Sequence, residues 1–330
     1  MVLFYSLLHL FPWIAFIQGF VIKNPLFVSS MDLSVPTSIE KKTVDFLGYP
    51  TKYQVKKAKN PKSDIAILFI HGFASSSYHW RNNIPYFSEN YDTYAVDLIG
   101  FGSSSKPIDL NYTIPLWSDQ ITYFIDYVIQ KPCILIGNSL GGYISLYTAS
   151  KPNKRIKGII PINPVIISRL YPNIRLPQIF GWFTTKAIIK GYFHIMKQRH
   201  SIRYFFNILY PVFPEKVDDL LIDSIENPSK EKNASDVFYR IVKENIADPT
   251  IFIEDILEKV SKDFPILLIY GTRDPWISSC AIDYFMKLRS NTYRFDVQAG
   301  HCPQDEIHEI INPIIQSFMT SLEKKDPFHW

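Results

Sequence analysis

Gly137-Asn138-Ser139-Leu140-Gly141 fits G-x-S-x-G. The pentapeptide follows the apolar run Cys133 to Ile136 and precedes a helix-like stretch, Leu140 to Ser150. A sharp strand-to-helix turn needs small residues on both sides of its serine, and it lifts the hydroxyl clear of the backbone. That chemistry is nucleophilic attack on a carbonyl. It requires a base to take the serine proton. His301, in Gly300-His301, stands between the strand-like Tyr293 to Val297 and a final helix, where the base is expected. A carboxylate must then hold the imidazole in one tautomer. Asp274, in Gly271-Thr272-Arg273-Asp274-Pro275-Trp276, follows the apolar run Ile266 to Tyr270. Pro161-Ile162-Asn163-Pro164, one strand earlier, offers no acid. The order Ser139, Asp274, His301 is the one this chemistry takes on a strand–turn–helix scaffold. The oxyanion of the tetrahedral intermediate needs two backbone donors. The amides of Leu140 and of Phe73, in His71-Gly72-Phe73-Ala74, are the candidates. In the competing account Ser139 only caps a helix and Asp274 only initiates a turn before Pro275.

The elements that must position these residues alternate in kind. Short apolar runs at Ile65 to Ile70, Tyr94 to Leu98, Cys133 to Ile136, Ile156 to Ile160 and Ile266 to Tyr270 suit strands covered on both faces. Helical stretches at Tyr112 to Ile129, Leu140 to Ser150, Ser278 to Leu288 and His308 to Met319 lie between or after them. This alternation predicts an α/β fold with a mostly parallel sheet. It breaks after Pro164. Residues 165–246 show helical periodicity without a buried strand, which predicts a helical cap inserted after the sixth strand, over the strand ends. The sheet core is then 43–164 and 247–323, with a hydrophobic segment and linker at 1–42 and a tail at 324–330.

Other residues read as structural. His71 braces the loop that carries Phe73. His194 and His200 are solvated cap residues, His308 lies on a helix surface, and His9 and His329 are near the ends. Asp97 to Ser104 is glycine-rich but lacks a phosphate-loop ending, so it reads as a turn behind the site. Cys133, Cys280 and Cys302 are too few and too far apart for a disulfide or metal framework.

Composition excludes several classes. The 330 residues are 47% hydrophobic and 20% charged, unlike a disordered chain. A net charge of +4 without a Lys/Arg-dense run argues against nucleic acid as a partner. Met1 to Ile22 has no charged side chain. It is long enough to span a bilayer, yet lacks a basic start and a cleavage site. A membrane anchor, an apolar element packed on the fold and a start at Met31 all fit it. From Val165 to Pro214 there are seven Lys or Arg and no Asp or Glu, among many aromatics. Basic and aromatic amphipathic helices favour anionic membrane surfaces. The competing account packs the aromatic face on the core.

His71-Gly72-Phe73, Asp97 to Pro107, Gly137 to Gly142 and Gly300-His301-Cys302-Pro303-Gln304-Asp305-Glu306 resemble the alpha/beta hydrolases, most of all cyanobacterial and plastid members such as pheophytinases and chlorophyll dephytylases. One departure is Gln304, where those relatives usually carry histidine. The resemblance implies eight strands, a plastid location and cleavage of a carboxylic ester with a bulky apolar group. It implies no metal and no cofactor. Trp182 and Phe183 of the cap and Trp276 beside Asp274 are the expected substrate contacts. Acyl transfer, carbon–carbon hydrolysis, haloperoxidase and aminopeptidase chemistry use the same triad. A non-catalytic binding protein would have lost a triad member, and epoxide hydrolases and haloalkane dehalogenases use an aspartate in place of Ser139.

Overall fold

The computed structural model describes residues 38–170, 186–244, 250–324, 326 and 328. Met1 to Ile22, Trp182 and Phe183 lie outside them. Among the described residues, the strands are β1 (Glu40–Phe46), β2 (Tyr49–Lys56), β3 (Ala66–Ile70), β4 (Thr93–Val96), β5 (Cys133–Asn138), β6 (Ile156–Ile162), β7 (Leu267–Gly271) and β8 (Tyr293–Val297). They form one eight-stranded sheet in the order β1-β2-β4-β3-β5-β6-β7-β8. The β1/β2 and β2/β4 pairs are antiparallel, and the rest are parallel. The predicted α/β class, with its mostly parallel sheet, is the architecture found.

Around the sheet lie α1 (Asn83–Phe87), α2 (Ile114–Phe124) and α3 (Leu140–Ala149). Between β6 and β7 come α4 (Lys186–Met196), α5 (Arg199–Leu209), α6 (Asp219–Ser229), α7 (Ala234–Val242) and α8 (Ile253–Lys259). The last three are α9 (Ser279–Leu288), α10 (Pro303–Glu306) and α11 (His308–Lys324). No strand occurs among the described residues between β6 and β7, so the insertion is helical there.

The all-apolar run of β3 is explained by its two covered faces. Ala66, Leu68 and Ile70 join a core with Trp117, Phe124, Tyr143 and Phe285. Ile67 and Phe69 join a second core with Trp80, Phe87, Ile314 and Phe318. Both sets are fully buried, since alternate strand residues point to opposite faces. The helix predicted from Tyr112 starts at Ile114, after a Thr113 cap and with Pro115 in its first turn. Its last turn widens over Ile125–Ile129 and ends at Gln130, which is left-handed at φ 56°.

Most of the positive charge on the described residues of the cap is paired with acids inside the fold. Lys186 and Lys190 both pair with Asp236. Arg199 pairs with Asp219, Asp223 and Glu226, Arg203 with Asp219, and Arg169 with Asp255. Lys197 lies over the Phe193 ring. The acids come from residues 219–255, beyond the stretch that looks purely basic in sequence. Among the described residues, no helix is long and apolar enough to cross a membrane.

Candidate active site

The spacing of the G-x-S-x-G turn has a steric cause at each glycine. A Cβ at Gly137 would collide with the backbone of Gly141 and Gly142, and one at Gly141 with the carbonyl oxygens of Ile70 and His71. Strand and helix therefore approach closely only if both residues lack side chains. Between them Ser139 adopts φ 54°, ψ −117°. Such a backbone costs about 1–3 kcal/mol for a residue with a Cβ and persists only when neighbours impose it. Three hydrogen bonds do so: Ser139 N to Ile162 O at 3.0 Å, Tyr143 N to Ser139 O at 3.1 Å and Val165 N to Ser139 O at 3.2 Å. Gly141→Ala is expected to lower stability by about 3 kcal/mol or more through overpacking against backbone. A urea-unfolding midpoint measures this.

Leu140 is the first residue of α3. Its amide has no intrahelical acceptor, and it sits at the positive end of the helix dipole. Gly72 brings the second predicted donor near. A Cβ there would stand 3.2 Å from the Ser139 Cβ, so the His71–Ala74 loop lies against the serine. His71 braces that loop as expected: its Nδ1 is 2.7 Å from Gly72 O, and its Nε2 accepts Leu98 N at 3.1 Å. Burial lowers the His71 pKa. Asp97, at the head of the glycine-rich turn, accepts Ser77 N at 2.6 Å and Ser103 N at 2.8 Å. It is a structural turn, and it steadies the loop from behind.

His301 and Asp274 come together. His301 Nδ1 is 2.7 Å from Asp274 Oδ2, and both side chains are almost wholly buried. The other carboxylate oxygen accepts Trp276 N at 2.7 Å and Ile277 N at 3.1 Å. With both oxygens engaged, the carboxylate is fixed in rotation and favours a proton on His301 Nδ1. The free Nε2 is buried and has no hydrogen-bond partner among the described residues. The contact a serine nucleophile would make there is not closed, as is common before substrate binds. The Trp276 ring stands 4.7 Å from the His301 ring and shields it.

Ser139, His301, Phe73 and Trp276 line one cavity of about 760 Å³. Its other walls are largely apolar cap side chains, among them Met196, Phe205 and Ile225. A second cavity of about 650 Å³ shares Ala74, Ser75, Met196, Ile202, Ile225 and Phe238 with it. The two form adjoining compartments between cap and sheet. His194 and His200 are exposed, and His308 opens α11 half-buried. Cys133 and Cys302 are buried and Cys280 exposed, all as free thiols. Burial pushes the Cys133 thiol up to about 12 and raises Cys302 as well, so neither is a thiolate nucleophile.

Several residues that hold the site give little signal in sequence. Asn163, where an alternative acid was sought, has φ 42° and a buried side chain. Its amide donates to Gly300 O at 2.8 Å and its carbonyl accepts Gly271 N at 2.8 Å. It staples β6 to the turn before Asp274 and to the loop of His301. Asn138 does similar work, donating to His301 O at 2.9 Å. Glu306 is fully buried and accepts three amides: Val212 at 2.7 Å, Phe213 at 3.0 Å and Gly300 at 2.5 Å. His301 N donates to Leu209 O at 2.9 Å. The end of α5 is thereby fastened to the histidine loop.

A buried polar chain also borders the cavity. Ser75 Oγ is 3.1 Å from His79 Nδ1, and His79 Nε2 is 2.7 Å from Tyr210 OH. Tyr210 OH donates to Asp305 Oδ2 at 2.8 Å, and Arg81 and Asn82 donate to the same carboxylate. Nothing in the spacing of His79 marked it out. Burial lowers its pKa from 6.5 to about 4. Unfolding therefore takes up a proton between those values. Stability is full above about pH 6.5 and falls as pH drops toward 4, by about 3 kcal/mol from this group. Urea unfolding at pH 7.5, 6, 5 and 4.5 is expected to show that decline.

A family model described as the alpha/beta hydrolase fold matches residues 65–306. The chain belongs to the alpha/beta hydrolase family. Among curated members it is 25% identical over 303 residues to the chloroplastic pheophytinase of Arabidopsis thaliana, covering 78% of this chain and 62% of that protein. It thus spans less than two thirds of pheophytinase. It is 27% identical over 261 residues to the uncharacterized hydrolase YugF of Bacillus subtilis, covering 77% and 89%. Among solved structures, a serine hydrolase involved in carbazole degradation matches with a TM-score of 0.69 at 20% identity, covering 86% and 99%. That likeness concerns the alpha/beta hydrolase fold.

Proposed function

We propose that the protein is a serine hydrolase that cleaves carboxylic esters bearing a large apolar group. The observation that carries this reading is Ser139, strained at the head of α3 and lining the same apolar cavity as His301, which is bound to Asp274. Ser139 Oγ attacks the carbonyl carbon while His301 Nε2 takes its proton. The oxygen that becomes negative is held by the Phe73 and Leu140 amides. Asp274 keeps the Nδ1 proton in place and stabilises the imidazolium. His301 then protonates the departing alcohol, and water, activated by the same nitrogen, releases the acid. No metal or cofactor takes part in this scheme. The adjoining compartments suit a prenyl or other long apolar chain, contacted by Trp276. The resemblance to a chloroplastic enzyme makes a plastid the proposed location.

The test uses purified protein and a fluorophosphonate, followed by intact mass. Ser139 is expected to gain one phosphonyl adduct, localised by peptide mapping. A panel of nitrophenyl esters of rising chain length, with pheophytin beside them, then reads the substrate. Rising kcat/KM with chain length supports the apolar assignment. Labelling at another residue, or none, overturns the mechanism. Cleavage of simple esters without pheophytin keeps the chemistry and removes the pigment from the substrate class. Transfer of the acyl group to an added alcohol in preference to water would instead identify an acyltransferase.

A further inference from the structure

The chain Ser75–His79–Tyr210–Asp305 can be read for the direction of each hydrogen. Asp305 receives Arg81 Nε at 3.0 Å, Arg81 Nη2 at 3.1 Å and Asn82 Nδ2 at 2.8 Å. All three are donors only, so the group facing them is a carboxylate, which accepts and does not donate. The single hydrogen of Tyr210 is then committed to Asp305 Oδ2. Tyr210 oxygen must accept from its other neighbour, so His79 carries its proton on Nε2. His79 Nδ1 is left with a lone pair and accepts the hydrogen of Ser75. Ser75 Oγ has no other partner among the described residues, and its residue lines both cavities. It stands two positions past Phe73, beside the oxyanion loop.

We propose that Ser75 is a specificity-determining residue, an acceptor fixed in the apolar cavity that selects esters carrying a hydroxyl or N–H donor. This inference rests on the ester-hydrolase reading and names a polar feature of its substrate. A hydroxyl free to rotate would serve donor and acceptor substrates alike. Here three buried groups, His79, Tyr210 and Asp305, hold the hydrogen away from the cavity. A donor on the substrate gains a hydrogen bond, whereas an ether or carbonyl oxygen at that point meets only lone pairs. An ester with no polar group there leaves the oxygen desolvated and unpaired.

The experiment measures binding to the full chain with Ser139→Ala, which cannot turn substrate over. The probes are methyl hexanoates with a hydroxyl at each carbon from 2 to 6, and the matching hydroxyhexyl acetates. Each is compared with its methoxy counterpart by calorimetry. At least one hydroxyl position is expected to bind about tenfold more tightly than its ether. Ser75→Ala on that background is expected to bring the ratio to about one, and Ser75→Thr to keep it. Nitrogen chemical shifts of the His79 ring are expected to show Nδ1 unprotonated. The proposal is overturned if no hydroxyl ester outbinds its ether, undetectable binding included. Survival of the preference in Ser75→Ala, or a proton on His79 Nδ1, also overturns it. Wild-type cleavage of plain methyl hexanoate is read separately. Its absence alongside an intact binding preference would remove the hydrolase reading and leave the acceptor in place.

Discussion

Ser139→Ala is expected to lower kcat for ester cleavage by about 10⁵-fold or more, with little change in the unfolding midpoint. The magnitude follows from removing the atom that forms the acyl bond in the proposed mechanism. What remains is whatever the cavity and the two amides contribute to direct attack by water. The stability expectation follows from the backbone. Alanine still has a Cβ, so the φ of 54° is as strained as before. Ser139→Gly separates the two effects, because glycine adopts this conformation without the steric penalty. It should lose activity to the same extent while gaining about 1 kcal/mol of stability. Activity within tenfold of wild type in either variant would show that the nucleophile lies elsewhere.

The second large effect is expected from Asp274→Asn, a fall in kcat of about 10⁴-fold with KM nearly preserved. An amide of the same shape keeps one oxygen for the Trp276 and Ile277 amides, which the loop requires. Its NH₂ then faces His301 Nδ1. Two donors cannot share that contact, so the ring proton moves to Nε2, the nitrogen that accepts from Ser139 in the proposed mechanism. The variant stays folded and holds its histidine in place in the wrong tautomer. A loss of less than tenfold in kcat would mean that Asp274 only shapes the turn before Pro275. Nitrogen shifts of the His301 ring give an independent readout of the tautomer.

What sequence reveals here depends on how local the cause is. The strands β3, β5, β6 and β7 announce themselves because each needs apolar residues on both faces. The β1 strand does not. EKKTVDF is exposed almost throughout, and it is a strand only because it pairs with β2 at the sheet edge. The serine turn is legible because its constraint spans five residues. Asn163 is not, because its partners are Gly271 and Gly300, more than a hundred positions away. The same limit made the cap look basic. Arg199 and Arg203 are balanced by Asp219, one helix further on, and Lys190 by Asp236. The departure at Gln304 stays without an explanation: its side-chain amide is fully buried, and neither end has a hydrogen-bond partner among the described residues.

The fastening of Leu209 to Phe213 against Gly300, His301 and Glu306 bears on how such a protein could be remodelled. Gly300 has no room for a Cβ, because the Leu209 carbonyl and Pro211 stand against it. A cap transplanted from a relative would bring a foreign crossing at this point and press on the loop that carries the base. Modular exchange succeeds only if residues 205–213 and 300–306 travel together as one cassette. Substitutions aimed at new substrates are expected to be tolerated best in α4, α6 and α7, whose side chains line the compartments outside that anchorage.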